Sequence, residues 1–266
     1  MKYNIPMQKQ RLDLLLTERG MVESRSQAQR LVMAGQVRVE GQLVIKPDMR
    51  IAVDAELVVE HGPRFVSRGG EKLEEAIQAF NLQTLTGQVC VDVGASTGGF
   101  TDCLLQHGAA RVYAVDVGYG VLHWKLRNDS RVISMERTNA RFIEDFPEPI
   151  QLVTIDASFI SLRILLPAIK KWFKDAPVRI VALIKPQFEA GREDAARGEG
   201  VIRDLAVHRQ VLLSVLNFAL EQGFCVQGLI RSPLLGPKGN AEFLVDLVSS
   251  DQNQSDLESL VDALLF

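Results

Sequence analysis

Long apolar runs are missing from this 266-residue chain. No stretch approaches the roughly 18 residues that cross a bilayer, and the longest, such as Ile180–Ile184, are strand-sized. No secretory leader stands out either, because Leu12–Leu16 is interrupted by Asp13 and followed by Glu18 and Arg19. Cysteine is scarce: Cys90, Cys103 and Cys225 are too few and too scattered for a disulfide framework or a zinc site. A large excess of one charge is also absent, the net charge being −3. With 47% hydrophobic and 24% charged residues, the composition excludes a wholly disordered chain. What remains is a folded chain of one or two domains, expected in the reducing cytoplasm, with no metal and no membrane or obligate protein partner implied.

The small net charge hides an uneven distribution. Residues 1–67 hold 10 Lys/Arg against 8 Asp/Glu, whereas residues 68–266 hold 20 against 25. A mildly basic module on an acidic body suggests a nucleic-acid contact on the module. Within it, Arg11–Leu16 has helical apolar spacing, ending near Gly20. Ser24 is a plausible N-cap for a second helix, Arg25–Met33, which stops at Gly35. Val37–Glu40, Gly41 and Leu43–Ile45 then read as a hairpin, and Glu56–Glu60 as a closing strand.

These residues carry a resemblance. Arg11-Leu-Asp, Ser24-Arg25-Ser26-x-Ala28, Leu31-Val32-x-x-Gly35-x-Val37-x-Val39-x-Gly41 and Lys46-Pro47 together resemble the RNA-binding module first known from a small-subunit ribosomal protein, S-four. The resemblance implies that Arg11, Arg25, Arg30 and Lys46 contact RNA phosphates, which set register and read little sequence. The competing reading leaves them as solvated surface cations. The module is expected over residues 1–62, a linker over 63–68 and a larger domain over 69–266. Pro63 keeps Gly62 extended, and Phe65 is expected to pack where the domains meet. A helix is expected from Glu71 to Phe80.

From Val89 onward, strand-like and helix-like segments alternate. Strands are expected at Val89–Val93, Val112–Val115, Val132–Met135, Leu152–Ile155, Ile180–Ile184, Phe224–Ile230 and Phe243–Val248. The clearest helices are Leu162–Phe173 and Asp204–Leu220. Such alternation predicts an α/β fold with a Rossmann-like, doubly wound parallel sheet. After the first strand comes Val91-Asp92-Val93-Gly94-Ala95-Ser96-Thr97-Gly98-Gly99-Phe100, where glycines permit a tight turn and close backbone approach to a ligand. Asp116 follows the second strand, placed to bond ribose hydroxyls. Together they indicate an adenosine-containing cofactor. The spacing departs from the dinucleotide pattern and looks like an S-adenosylmethionine methyltransferase. That likeness implies Gly94, Ser96, Gly98 and Gly99 along the methionine and ribose, Asp92 nearby, and Asn139 by the adenine. The same turn also fits a hydrolase nucleophile elbow, Ser96 with Asp156 and His208, but it follows the first strand of the body, and the compact module before it cannot supply an oxyanion loop.

Ligands of such sheets bind outside the carboxyl ends of the strands, so Asp156 and Lys185 should flank the pocket. With Lys72 and Glu242 they resemble the Lys-Asp-Lys-Glu tetrad of FtsJ-like RNA ribose methyltransferases. Ser67-Arg68-Gly69-Gly70-x-Lys72-Leu73, Gly118-Tyr119-Gly120-x-Leu122-x-Trp124-x-Leu126-Arg127, Asp156-x-Ser158-Phe159-Ile160-Ser161 and Leu183–Glu189 extend the resemblance, over nearly the whole chain, to the TlyA/haemolysin-A-like family. Gly69-Gly70 stands where relatives often carry alanine. The resemblance implies methyl transfer to a ribose 2′-hydroxyl of ribosomal RNA, with cytidine as the target, and ribosomal RNA or its subunits as partner. Lys185 is expected to accept the hydroxyl proton, Lys72 to supply a neighbouring cation, Asp156 and Glu242 to hold both lysines, and Phe159 to border the site. The glycine-rich stretch from Glu189 to Gly200 reads as a mobile loop or a plain surface one. A non-catalytic RNA-binding protein and a membrane-lytic protein are the competing classes.

Overall fold

In the computed structural model the described residues are 8–60, 62–82, 84–173, 179–191, 200–249 and 256–266. The chain divides into two compact units, Met1–Arg64 and Phe65–Phe266. The division falls inside the stretch expected as linker. Most of the expected loop after Glu189 lies outside the described residues.

The first unit runs β1 (Lys9–Arg11), α1 (Leu12–Glu18), α2 (Arg25–Met33), β2 (Val37–Val39), β3 (Gln42–Leu43), β4 (Arg50–Ala52) and β5 (Leu57–Val59). Ser24 caps α2 by accepting from the Gln27 amide, and Gly35 ends it with φ +70°. Strands β3, β2 and β5 form one antiparallel sheet, while β1 pairs with β4. The helices bury Leu12, Leu16, Ala28 and Val32 against Val37 and Leu57.

The second unit continues with α3 (Gly69–Ala79), β6 (Val89–Val93), α4 (Gly99–Gln106), β7 (Arg111–Val115), α5 (Trp124–Arg127), β8 (Val132–Met135), β9 (Leu152–Ile155) and α6 (Leu162–Lys170). It closes with β10 (Arg179–Ile184), α7 (Pro186–Glu189), α8 (Leu205–Glu221), β11 (Phe224–Arg231), β12 (Phe243–Ser249) and α9 (Leu257–Leu265). Its seven strands lie in the order β11-β12-β10-β9-β6-β7-β8. All neighbours from β10 to β8 are parallel, and β12 runs antiparallel to both β10 and β11. The expected sheet is therefore mixed at one edge. A direct loop joins β11 to β12 with no crossover helix, and such a connection makes an antiparallel pair.

Strand alternation sends Val91, Val93, Val153, Ile155 and Ile180 to one face, where α6, α8 and α9 cover them. Cys90, Leu152, Val181 and Leu183 face α3 and α4 on the other. Burial pushes the Cys90 thiol up to about 12, a structural cysteine with no reactive thiolate. Phe65 belongs to this second core. It explains Gly70: a Cβ there would stand 2.3 Å from the Phe65 ring. Helix α3 begins at Gly69, two residues before the expected start, with Gly69 and Gly70 in its first turn. Strand order reverses between β6 and β9, so their carboxyl ends frame the crevice where ligands of such sheets bind.

Candidate active site

Two adjacent cavities open at that crevice. One, of about 320 Å³, is lined by Gly94, Ser96, Asp116, Asn139, Ala140, Phe159 and Ile160, among others. The second, of about 310 Å³, is lined by Lys72, Gly94, Ser96, Gly99, Asp156, Ser158, Lys185 and Glu242, with Leu234, Leu235 and Pro237 as an apolar wall. Gly94, Ser96, Asp156 and Ser158 border both.

The glycine turn is built by close approach. Gly94 has φ +83°, and a Cβ on it would stand 2.8 Å from the Asp156 carbonyl oxygen. Only glycine lets β6 and β9 end side by side there. The Gly94 and Ala95 amides donate to the Val115 carbonyl, and the Ser96 amide donates to Asp116 Oδ2 at 2.7 Å. Asp116 Oδ1 accepts from the Gly118 amide at 2.7 Å. Each carboxylate oxygen keeps a lone pair for a ribose hydroxyl. Asn139 caps the short turn Ala140–Phe142 through its side-chain oxygen.

Asp92 and Gly98 line neither of these two cavities. Asp92 is fully buried beneath the turn, where its carboxyl accepts from Thr101 Oγ1 at 2.6 Å and Thr154 Oγ1 at 3.3 Å. Burial raises it to about 7, opposed by those hydroxyls and reinforced by the charge of Asp156. Gly98 has φ +97° and packs on α5, where a Cβ would stand 2.2 Å from Leu126.

The four charged residues expected together do meet. Lys72 Nζ lies 2.7 Å from Glu242 Oε2 and 3.7 Å from Asp156 Oδ2. Lys185 Nζ lies 2.6 Å from Asp156 Oδ1 and donates to Ser158 Oγ at 2.9 Å. Asp156 thus bridges the Nζ atoms of the two lysines, each lysine side chain about nine-tenths buried. The mixed edge supplies the fourth member: because β12 runs backwards, its beginning lies among the ends of the parallel strands, and Glu242 immediately precedes it.

Several contributors went unrecognised in the sequence. Ser158 sits two residues beyond Asp156, close enough to have been suspected. Glu189 is buried and accepts from Ser161 Oγ at 2.5 Å and the Leu162 amide at 2.7 Å, capping α6. Burial holds its carboxyl above the usual range. It fastens the segment after Lys185 to the segment after Asp156. Phe159 stands exposed at φ +64°, its ring 5.0 Å from Phe188.

In the first unit, Arg11 and Arg25 converge on the buried Asp13, at 3.0 and 2.9 Å. Arg11 bonding, with Gln29 and Arg25, holds the Asp13 carboxyl well below the usual carboxylate range. Both guanidinium groups stay partly exposed, and Arg30 and Lys46 are exposed. The hydrolase triad does not form. His208 is buried, its Nε2 bonded to the Ile202 carbonyl oxygen at 3.1 Å, and it lines a different cavity from Ser96.

The family profile described as FtsJ-like methyltransferase matches residues 65–248, and an S4 domain matches residues 10–57. The chain belongs to the FtsJ-like methyltransferase family. Members near this FtsJ-like chain include the 16S/23S rRNA (cytidine-2′-O)-methyltransferase TlyA of Mycobacterium tuberculosis. It is 42% identical over 259 residues, 96% of this chain and 95% of TlyA. The Bacillus subtilis protein YqxC is 47% identical over 243 residues, covering 90% of this chain and 85% of that one. A solved structure from Streptococcus thermophilus, described as a hemolysin, superposes with a TM-score of 0.73 at 46% identity. It covers 97% of this chain and 95% of its own. No helix among the described residues is long and apolar enough to cross a membrane. An FtsJ-like fold implies S-adenosylmethionine as methyl donor, and the 320 Å³ cavity fits one: a carboxylate with acceptor capacity, a tight turn at Gly94, and apolar walls.

Proposed function

We propose that this chain methylates a ribose 2′-hydroxyl of ribosomal RNA, with cytidine as the target, in the bacterial cytoplasm. The observation that carries the reading is Asp156 bridging Lys72 and Lys185 beside the glycine turn, with Glu242 pairing Lys72. Such a cluster is costly to assemble. Burying charges is repaid only by tight pairing, and a purely RNA-binding or membrane-lytic role leaves it without use. The name of the TlyA relative supports ribosomal RNA and cytidine.

In this reading Asp116 holds the ribose of S-adenosylmethionine, Asn139 and Ala140 border the adenine, and Gly94, Ser96 and Gly99 border the methionine. Bound there, S-adenosylmethionine supplies an electrophilic methyl group on a positively charged sulfur. Asp92 holds the turn from below, and Gly98 lets α4 start against α5.

A ribose hydroxyl is a weak nucleophile and must surrender its proton as its oxygen attacks. Lys185, entering the cycle as the free amine, takes that proton on Nζ. Asp156 and Ser158 fix the direction of Nζ, and Asp156 stabilises the ammonium that forms. Lys72, held by Glu242, places a positive charge beside the forming alkoxide. The walls from Leu234 to Pro237 exclude water. Arg11, Arg25, Arg30 and Lys46 dock phosphates of the same RNA.

The test is methyl transfer from labelled S-adenosylmethionine to purified ribosomal subunits and naked ribosomal RNA, with the product mapped by mass spectrometry. A methylated cytidine ribose is expected, and Lys185→Ala should lose about 100- to 10,000-fold in turnover while still binding the cofactor. Wild-type protein that methylates neither substrate, or a Lys185→Ala enzyme near wild-type turnover, overturns the reading.

A further inference from the structure

Beyond the rim of the 320 Å³ cavity lies a face that the site does not use. Residues 117–142 expose three aromatic rings there: Tyr119 (68%), Trp124 (70%) and Phe142 (76%). Three large rings left in water within one short segment mark a surface that something covers.

The rings are held in place. The Arg137 amide donates to the Gly118 carbonyl, and the Thr138 amide to the Asp116 carbonyl, both at 2.9 Å. The Gly120 amide reaches Glu136 Oε1 at 3.1 Å, Arg127 pairs with Glu136, and Arg127 Nε donates to the Leu122 carbonyl at 2.9 Å. The His123 amide ties the start of α5 to Thr97 of the glycine turn. The backbone of the two segments is therefore a single hydrogen-bonded surface continuous with Asp116 and Asn139.

Cations edge the rings. The Arg137 guanidinium lies 4.1 Å from the Tyr119 ring centre, and that of Arg141 5.2 Å from Phe142. Lys125 and Arg127 follow Trp124 on α5. Residues 117–142 hold 5 Lys/Arg against 2 Asp/Glu, in a unit that holds 20 against 25. Both acids, Asp129 and Glu136, are paired with arginines of the same segment. The centre of a protein–protein interface sheds charge. Rings with cations beside them suit a chain that presents flat faces and phosphates together, as unpaired RNA does.

We propose that this face is a docking surface for an unpaired stretch of the RNA substrate. Tyr119, Trp124 and Phe142 stack on bases, while Lys125, Arg137 and Arg141 meet phosphates. The proposal rests on the RNA-methylating reading, and it extends the substrate's path from the reacting ribose across the adenosine side of the site.

The two tryptophans make a direct assay, because Trp172 is buried at 4% exposure and Trp124 is not. The full chain carrying Trp172→Phe reports on Trp124 alone. Titration with a short single-stranded oligocytidylate should quench its emission to saturation, and inorganic polyphosphate, which has charge but no bases, should not. Tyr119→Ala with Trp124→Ala should weaken binding to ribosomal RNA by about 10-fold or more, while the thermal shift with S-adenosylmethionine stays unchanged. Trp124→Phe should restore most of the affinity. Absent quenching overturns the proposal. So does unchanged RNA affinity in the double variant, or quenching by ribosomal proteins but not by the oligonucleotide. A chain that methylates RNA with full affinity despite the double substitution sinks the surface alone. Quenching by a chain that methylates nothing sinks the catalytic reading and leaves the surface standing.

Discussion

Replacing Asp92 by asparagine isolates the electrostatic cost of the group beneath the glycine turn. Asp92 is wholly buried, and burial lifts its carboxyl from 3.8 to about 7 against the bonds from Thr101 and Thr154. Between those values the folded chain keeps a proton that the unfolded chain has released. Stability should therefore fall as pH rises through the window, at most about 1.4 kcal/mol per unit, and by roughly 4 kcal/mol across it. Below the window both states are protonated and nothing is lost; above it both are ionised and the full cost stands. Asparagine cannot ionise, so the stability of Asp92→Asn relative to wild type should climb by roughly 4 kcal/mol between about pH 4 and pH 7.5. Its fixed cost or benefit cancels in that difference, as do the other titrating groups, including Glu189. Urea unfolding followed by the buried Trp172 reports on the second unit, which holds both tryptophans. A stability difference that stays flat with pH, or that shrinks as pH rises, refutes the assignment of the proton to Asp92.

Gly94→Ala should abolish the rise in melting temperature that S-adenosylmethionine gives the wild-type protein, because the added Cβ meets the Asp156 carbonyl at 2.8 Å with φ +83°; a preserved shift would show that the turn yields. Glu242→Gln keeps the shape beside Lys72 but removes its closest charge, so turnover should drop at least 10-fold, with cofactor affinity measured by calorimetry unchanged. Alanine at Arg11, Arg25 and Lys46 together should lower the slope of log RNA affinity against log salt by about 0.7 to 0.9 for each phosphate no longer neutralised, and an unchanged slope would remove the first unit from the docking surface. Asp13 is wholly buried between Arg11 and Arg25 with its carboxyl held low. Its contribution to the first unit is present at neutral pH and lost on acidification, so circular dichroism of Asp13→Asn should show a smaller acid-induced loss of stability than wild type.

Local chemistry makes much of this protein legible in its sequence. Valine-rich runs at 89–93 and 152–155, a glycine turn and an acid after the next strand can be read from neighbours a few residues apart. Ser24 as a cap and Gly35 as a stop are equally local. The tetrad is readable only through likeness to a family, because nothing near Lys72 says that residue 242 will meet it. What escapes depends on pairings distant in sequence. Asp92 looks like a ligand residue from its place in the motif, yet strand alternation turns it into the core towards Thr101 and Thr154. The pairing of β1 with β4, the docking of α9 and the apolar wall at 234–237 have no strong local signal. The reversed direction of β12 follows from a missing helix between two strands, an absence that the spacing of the two apolar runs already carries.

Lys72 and Glu242 stand 170 positions apart in the chain and 2.7 Å apart in the fold. That pairing makes the site a record of finished synthesis. A ribosome producing this chain releases Lys72, the turn, Asp156 and Lys185 well before Glu242. Any chain stopped earlier than that residue leaves the Lys72 ammonium with Asp156 alone, at 3.7 Å. Placing the last charge just ahead of a strand that enters from the opposite direction withholds the tetrad until residue 242 has been made. A nascent or truncated copy that stops short of Glu242 can therefore carry the cofactor turn without the assembled tetrad.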